Sequence, residues 1–249
     1  MDGYQKDSFT AATTTGREIA HDIYTKGAGP VIVIIQELPG IGPETLHLAD
    51  KFEAAGFTVV LPHLFGPLGK ISLGGNVLRV FCMRREFHLF AKRKTSPIVD
   101  WLRALCQKLK TDHGVPGVAT IGMCLTGNFA ISLMADDAVL AGVASQPSMP
   151  LHDQNALHMS DAEISDISDK LDRVGPMKAY RIAGDKICRA EKFAAIDRAF
   201  NQGKERIELN TLPGKGHSVL TLDFVDEDGH PTKEAFDNIV GYFRKQLSA

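Results

Sequence analysis

The sequence predicts an open, mostly parallel α/β sheet covered by helices on both faces, and three observations carry that expectation. Short apolar runs alternate with helical segments along most of the chain. The first of them, VIVII from Val31 to Ile35, is continuous and β-branched, as a strand buried on both faces requires. No internal repeat or low-complexity linker interrupts the alternation, so one domain spanning residues 1–249 is expected.

Taken in order, Thr45 to Ala55 carries Leu46, Ala49 and Phe52 on a helical spacing, with Gly56 as the stop signal. Thr58 to Leu61 is the next strand. After a basic, glycine-containing stretch, Ser96 and Pro97 open a helix that runs to about Lys110, since proline at the first helical position costs no hydrogen bond. Val118 to Gly122 reads as a strand, Leu125 to Ala135 as a helix and Val139 to Ala144 as a strand. Ser160 and Glu163 have the spacing of a capping box. Strand Ala179 to Ala183, helix Glu191 to Phe200, strand Arg206 to Leu212 and helix Thr232 to Leu247 complete the chain. With right-handed crossovers, the loops at the carboxyl ends of the strands converge on one crevice, and chemistry is expected there.

Composition narrows the function classes. A chain of 249 residues with 44% hydrophobic and 23% charged residues buries a core without needing a metal or disulfide. A net charge of -2 gives no reason to expect a nucleic acid or a membrane as partner. The polar, Thr-rich Met1 to Gly16 lacks a secretory pattern, and no apolar stretch approaches the roughly 20 residues of a membrane span, so a cytoplasmic protein is expected. Cys82, Cys106, Cys124 and Cys188 form no C-x-x-C pair and are expected to be reduced thiols. His152 and His158 are too loose a pair for zinc, and there is no H-E-x-x-H, phosphate loop or dinucleotide fingerprint. Neither metal nor cofactor is expected. The partner is a small molecule, and the chain a monomer or homodimer.

Gly122-Met123-Cys124-Leu125-Thr126-Gly127 stands between a strand and a helix, the setting of a nucleophile elbow, where a sharp turn lifts one side chain above the sheet. The following helix N-terminus favours a thiolate at Cys124. Buried cysteines also serve as small hydrophobes, and position alone leaves both roles open. Asp185 follows the apolar AYRIAG, and His217 lies in the loop GKGHS after the next strand. Each could be a simple loop or cap residue, but the order nucleophile, acid, histidine is that of α/β-hydrolases. Glu37 ends an otherwise apolar strand, where a carboxylate needs a partner. The loop beyond it, Leu38 to Pro43, occupies the place where an α/β-hydrolase fold provides one oxyanion amide; Pro39 and Pro43 have no N–H, and Leu38 is expected as that donor, with Leu125 as the other.

From about Pro30 to Tyr242 the chain resembles the dienelactone hydrolase family of the α/β-hydrolase superfamily, through Gln36-Glu37-Leu38, Gly122-Met123-Cys124-Leu125, Ala183-Gly184-Asp185 and Gly216-His217-Ser218. The resemblance implies a Cys124–His217–Asp185 triad acting on an ester or lactone, with Glu37 contacting the resting thiol and controlling its activation. Two positions depart from the family. Thr126 stands where glycine is usual, and Thr221 replaces an arginine that holds the substrate carboxylate. The segment 69–95, with Lys70, Arg79, Arg84, Arg85, Lys92, Arg93 and Lys94 among Phe81, Phe87 and Phe90, could cap the crevice or form a solvated basic helix. Two other functions stay open: a promiscuous esterase that also attacks phosphate triesters, and a non-catalytic thiol sensor or ligand-binding module.

Overall fold

A computed structural model of the chain describes every residue except 15, 67, 70–95, 158 and 249. The basic segment 69–95 therefore lies, apart from Gly69, outside the described residues.

Eight strands form one sheet. They are β1 (Gln5–Ala12), β2 (Glu18–Lys26), β3 (Val31–Ile35), β4 (Thr58–His63), β5 (Val118–Met123), β6 (Val139–Ser145), β7 (Met177–Ile182) and β8 (Ile207–Leu212). Their spatial order is β1-β2-β4-β3-β5-β6-β7-β8. All neighbours from β4 to β8 pair in parallel, while β2 is antiparallel to both β1 and β4. Among the described residues the helices are α1 (Pro43–Ala54), α2 (Pro97–Asp112), α3 (Gly127–Leu133), α4 (Asp161–Val174), α5 (Ala190–Phe200) and α6 (Pro231–Leu247).

The run VIVII is apolar throughout because both faces of β3 are covered. Val31, Val33 and Ile35 enter the core that α2, α3, α4 and α5 share. Ile32 and Ile34 enter the opposite core, under α1 and α6. The period-2 alternation of a strand thus distributes one apolar run between two layers. The capping box also forms: the Ser160 hydroxyl accepts from the Glu163 amide at 3.2 Å, and the Glu163 carboxylate accepts from the Ser160 amide at 3.0 Å.

Two elements differ from expectation. The polar N-terminal stretch is a β-hairpin, β1 and β2, on the edge of the sheet. Most positions of its strands are exposed or half-buried, with Ile23 and Tyr24 of β2 buried, so they lack the continuous apolar signal of the inner strands. Trp101 of α2 anchors the hairpin, donating its indole N–H to the Phe9 carbonyl at 3.2 Å. The helix expected from Leu125 begins instead as a 3₁₀ turn, Cys124–Thr126, and becomes α-helical only at Gly127. A 3₁₀ start is the tighter way to leave a strand abruptly.

Candidate active site

The elbow is a strained turn fitted between two glycines. Cys124 has a φ of 55°, a left-handed conformation uncommon for a side chain with a Cβ. A Cβ at Gly122 would meet the Thr126 carbonyl oxygen at 2.1 Å, and one at Gly127 would meet Pro147 Cα at 2.7 Å. Both close approaches demand glycine. Thr126 is fully buried and works as a tie. Its hydroxyl accepts from the Met123 amide at 2.9 Å, while the carbonyls of Met123, Ile35 and Gln36 lie 2.9, 3.1 and 3.1 Å away for its single proton. The threonine at the usual glycine position therefore binds the elbow to the end of β3.

That tie brings Glu37 beside the elbow. Ile35 pairs with Gly122 in the parallel register, so Glu37 and Cys124 each stand two residues beyond the same pair. Leu38 and Leu125 follow them along the same two chains.

Asp185 and His217 come from the loops after β7 and β8. The loops are joined where the Gly184 amide donates to the Gly214 carbonyl at 3.0 Å. The side chain of Asp185 is buried, and its Oδ1 accepts from the amides of Ile187 and Cys188 at 2.7 and 3.0 Å. Its Oδ2 lies 2.8 Å from His217 Nδ1. The other ring nitrogen, Nε2, is buried, and Cys124 is near enough to act on the ring. Burial works to lower the His217 pKa, but the bond from Asp185 and the interaction with Cys124 outweigh it and raise the value to about 10. A cleft of about 500 Å³ opens beside this pair, lined by Asp185, Lys186, Ile187, Lys215 and His217.

Glu37 is 6% exposed, and its partners differ from expectation. Oε1 accepts from the Thr221 hydroxyl, and Oε2 from Ser218 Oγ at 3.3 Å and Gln146 Nε2 at 3.2 Å. Burial raises the Glu37 pKa, and these donors and His217 only partly offset it. None of these hydrogen bonds goes to Cys124. The Thr221 hydroxyl holds the carboxyl against the histidine loop.

Three contributors were missed by sequence reasoning. Asp223 accepts from the amides of His217 and Ser218 at 2.7 and 2.8 Å, beside Gly216, where a Cβ would meet the carboxylate carbon at 2.5 Å. Gln146 and Ser148, in the loop after β6, bond to Glu37 and to the Cys124 carbonyl respectively. Loop residues such as these carry no periodic signal. The other described cysteines are buried: Cys106 is wholly enclosed, and burial pushes the thiols of Cys106 and Cys188 upward. Among the described residues no cluster of His, Cys, Asp or Glu could hold a metal ion, and no helix is long and apolar enough to cross a membrane.

No curated protein matches the chain. Solved structures show its fold clearly at low identity. A putative dienelactone hydrolase from Klebsiella pneumoniae shares 14% identity and a TM-score of 0.67, over 97% of this chain and 99% of that one. A dienelactone hydrolase-like promiscuous phosphotriesterase from metagenomic libraries shares 14% and 0.62, over 97% and 99%. Brefeldin A esterase, a bacterial homologue of human hormone-sensitive lipase, shares 14% and 0.59, over 100% and 78%. The fold is that of the α/β-hydrolases. The family model for dienelactone hydrolases matches residues 20–247, nearly the whole sheet and every residue of the site just described, and the chain belongs to the dienelactone hydrolase family.

Proposed function

We propose that the protein hydrolyses carboxylic esters or lactones through a thioester on Cys124. The observation that carries this reading is the 2.8 Å bond between Asp185 Oδ2 and His217 Nδ1, with the imidazole beside a cysteine raised on a strand-to-helix turn. His217, held through Nδ1 by Asp185, is placed to take the thiol proton on Nε2, and the thiolate so formed is the nucleophile.

The thiolate attacks the carbonyl carbon, and the oxyanion is received by the amides of Leu38 and Leu125; one such donor is worth about 3–4 kcal/mol in a known case. On collapse the C–O bond breaks, and His217 Nε2 gives its proton to the leaving alkoxide. The neutral imidazole then takes a proton from water as the oxygen attacks the thioester. The acid departs, and the thiolate and imidazolium are restored. Asp185 holds the ring by Nδ1 and stabilises its positive form. Thr221 brings no positive charge for a substrate carboxylate, so the reading covers esters and lactones in general rather than a dienelactone.

Attack on phosphate triesters is a second reading, favoured by the same thiolate and by the promiscuous phosphotriesterase among the structural neighbours. A thiol sensor would oxidise at Cys124 without turning over any ester. The test is a panel of p-nitrophenyl acetate, a γ-lactone and a phosphate triester, run on the wild type and Cys124→Ala. Turnover lost in the variant, with an acyl adduct on Cys124 in the wild type, supports the hydrolase; undiminished turnover in Cys124→Ala overturns it.

A further inference from the structure

A polar path runs from the backbone of the nucleophile to the loop that carries the base. The Cys124 carbonyl accepts from the Ser148 amide at 3.0 Å. The Ser148 hydroxyl donates to the Gln146 carbonyl at 2.8 Å, and Gln146 Nε2 donates to Glu37 at 3.2 Å. Glu37 in turn accepts from Ser218 and Thr221, which lie one and four residues beyond His217. All five of these polar residues are buried.

The path has features of an arrangement that costs energy to maintain. Gln146 is, with Cys124, one of two described non-glycine residues at positive φ, at 36°. It is held there by a 2.7 Å bond from its amide to the Tyr180 carbonyl. Its side-chain oxygen accepts from the Ser145 hydroxyl and, at 3.4 Å, from the Val219 amide inside the histidine loop. A strained backbone persists where its surroundings over-determine it, and such strain collects at functional sites. A buried carboxyl costs free energy unless its oxygens are occupied. Here three donors from two other loops occupy them.

We infer that Glu37 is a strut that sets the position of His217 relative to Cys124, with Thr221, Ser218 and Gln146 as the positioning residues that complete it. The inference rests on the proposed triad, and it gives Glu37 a role that acts through the histidine loop instead of on the sulfur. Thr221 fills the arginine position as a donor to the strut.

The experiment compares Thr221→Val, Thr221→Ser and Glu37→Gln with the wild type by p-nitrophenyl acetate turnover. Alkylation of Cys124 by iodoacetamide is followed across pH by peptide mass, and thermal melts confirm folding. Losing the strut displaces the base, so Thr221→Val lowers kcat by about 10- to 100-fold, with KM changed less than about twofold. Alkylation near neutral pH slows, and its profile moves to higher pH, because a displaced imidazole no longer holds the proton of the thiol. Thr221→Ser restores both, and Glu37→Gln behaves as Thr221→Val does. The inference is overturned if Thr221→Val keeps wild-type turnover and profile, if it loses turnover with the alkylation profile unmoved, or if only Glu37→Gln is affected. Should Thr221→Val fail to fold, Ser218→Ala carries the same comparison. Alkylation needs no ester, so a shifted profile in a protein without esterase activity would leave the strut standing and remove the hydrolase reading.

Discussion

The interior of the sheet and its carboxyl edge are held together by different forces. Inside, β3 to β7 are bound to their helices by apolar burial on two faces, with Phe52 of α1, packed against α6, as a representative: it is fully buried, and its ring centroid is 4.9 Å from that of Phe236. At the edge, the residues that meet are Cys124, Asp185, His217, Glu37 and Gln146, and what fixes them is hydrogen bonding at defined lengths. Apolar contact is tolerant of small shifts, whereas a proton-transfer pair is not. Substitutions in the two regions should therefore separate stability from chemistry.

The largest separation is expected at Asp185. Asp185→Asn keeps the size of the side chain but removes the charge that stabilises the imidazolium and selects its tautomer, and kcat should fall by about 10³- to 10⁴-fold. A thermal melt close to that of the wild type alongside this loss would place Asp185 wholly on the chemical side. A fall of less than tenfold would show that the His217 ring is held by something else.

Phe52→Ala reverses the pattern. Removing a buried aromatic ring costs about 3–5 kcal/mol of stability, to be read from the denaturant midpoint at constant slope. Turnover per folded molecule should stay within a factor of two of the wild type, roughly the resolution of such a comparison. A large kcat effect would mean that the apolar layer also sets the geometry of the edge.

Thr126 stands on the boundary, and its substitution should register on both sides at smaller amplitude. Thr126→Val preserves the shape but leaves the Met123 amide without its acceptor, at a cost of about 1–3 kcal/mol. Because the same hydroxyl reaches the end of β3, turnover should also fall, by about tenfold. Thr126→Ser should recover most of both losses.

The same contrast explains what could be read from the sequence. Strands buried on both faces leave continuous apolar runs, so β3, β5 and β6 are legible within about two residues of their observed ends. Cys124 and Asp185 are legible because each is placed by the end of such a strand, and His217 because it follows the next strand in the order nucleophile, acid, histidine. The hairpin of β1 and β2 is not, since an edge ribbon needs only one half-covered face. Nor are the partners of Glu37: Gln146, Ser218 and Thr221 are 109, 181 and 184 residues away along the chain, and only the folded backbone brings their donors to one carboxyl. The family resemblance placed Glu37 at the site but assigned it a different contact.

The smallest expected effect is electrostatic and tests how closely Cys124 and His217 are coupled. The His217 pKa of about 10 exceeds the ordinary 6.5, so the imidazolium is favoured in the folded state. The stability it contributes is fully present below pH 6.5 and is lost as pH rises through 10. Cys124 supplies part of the raise, and in Cys124→Ala that part is removed while burial still acts in the lowering direction. The His217 ring signals, followed by NMR, should therefore titrate at lower pH in Cys124→Ala than in the wild type, with the apparent wild-type value belonging to the thiol and imidazole together. The melting temperature of the variant should vary less between pH 6.5 and 10, because the interval between unfolded and folded values has narrowed. Identical titrations in the two proteins would mean that Asp185 alone holds the proton on His217, and that sulfur and imidazole do not form a pair before substrate arrives.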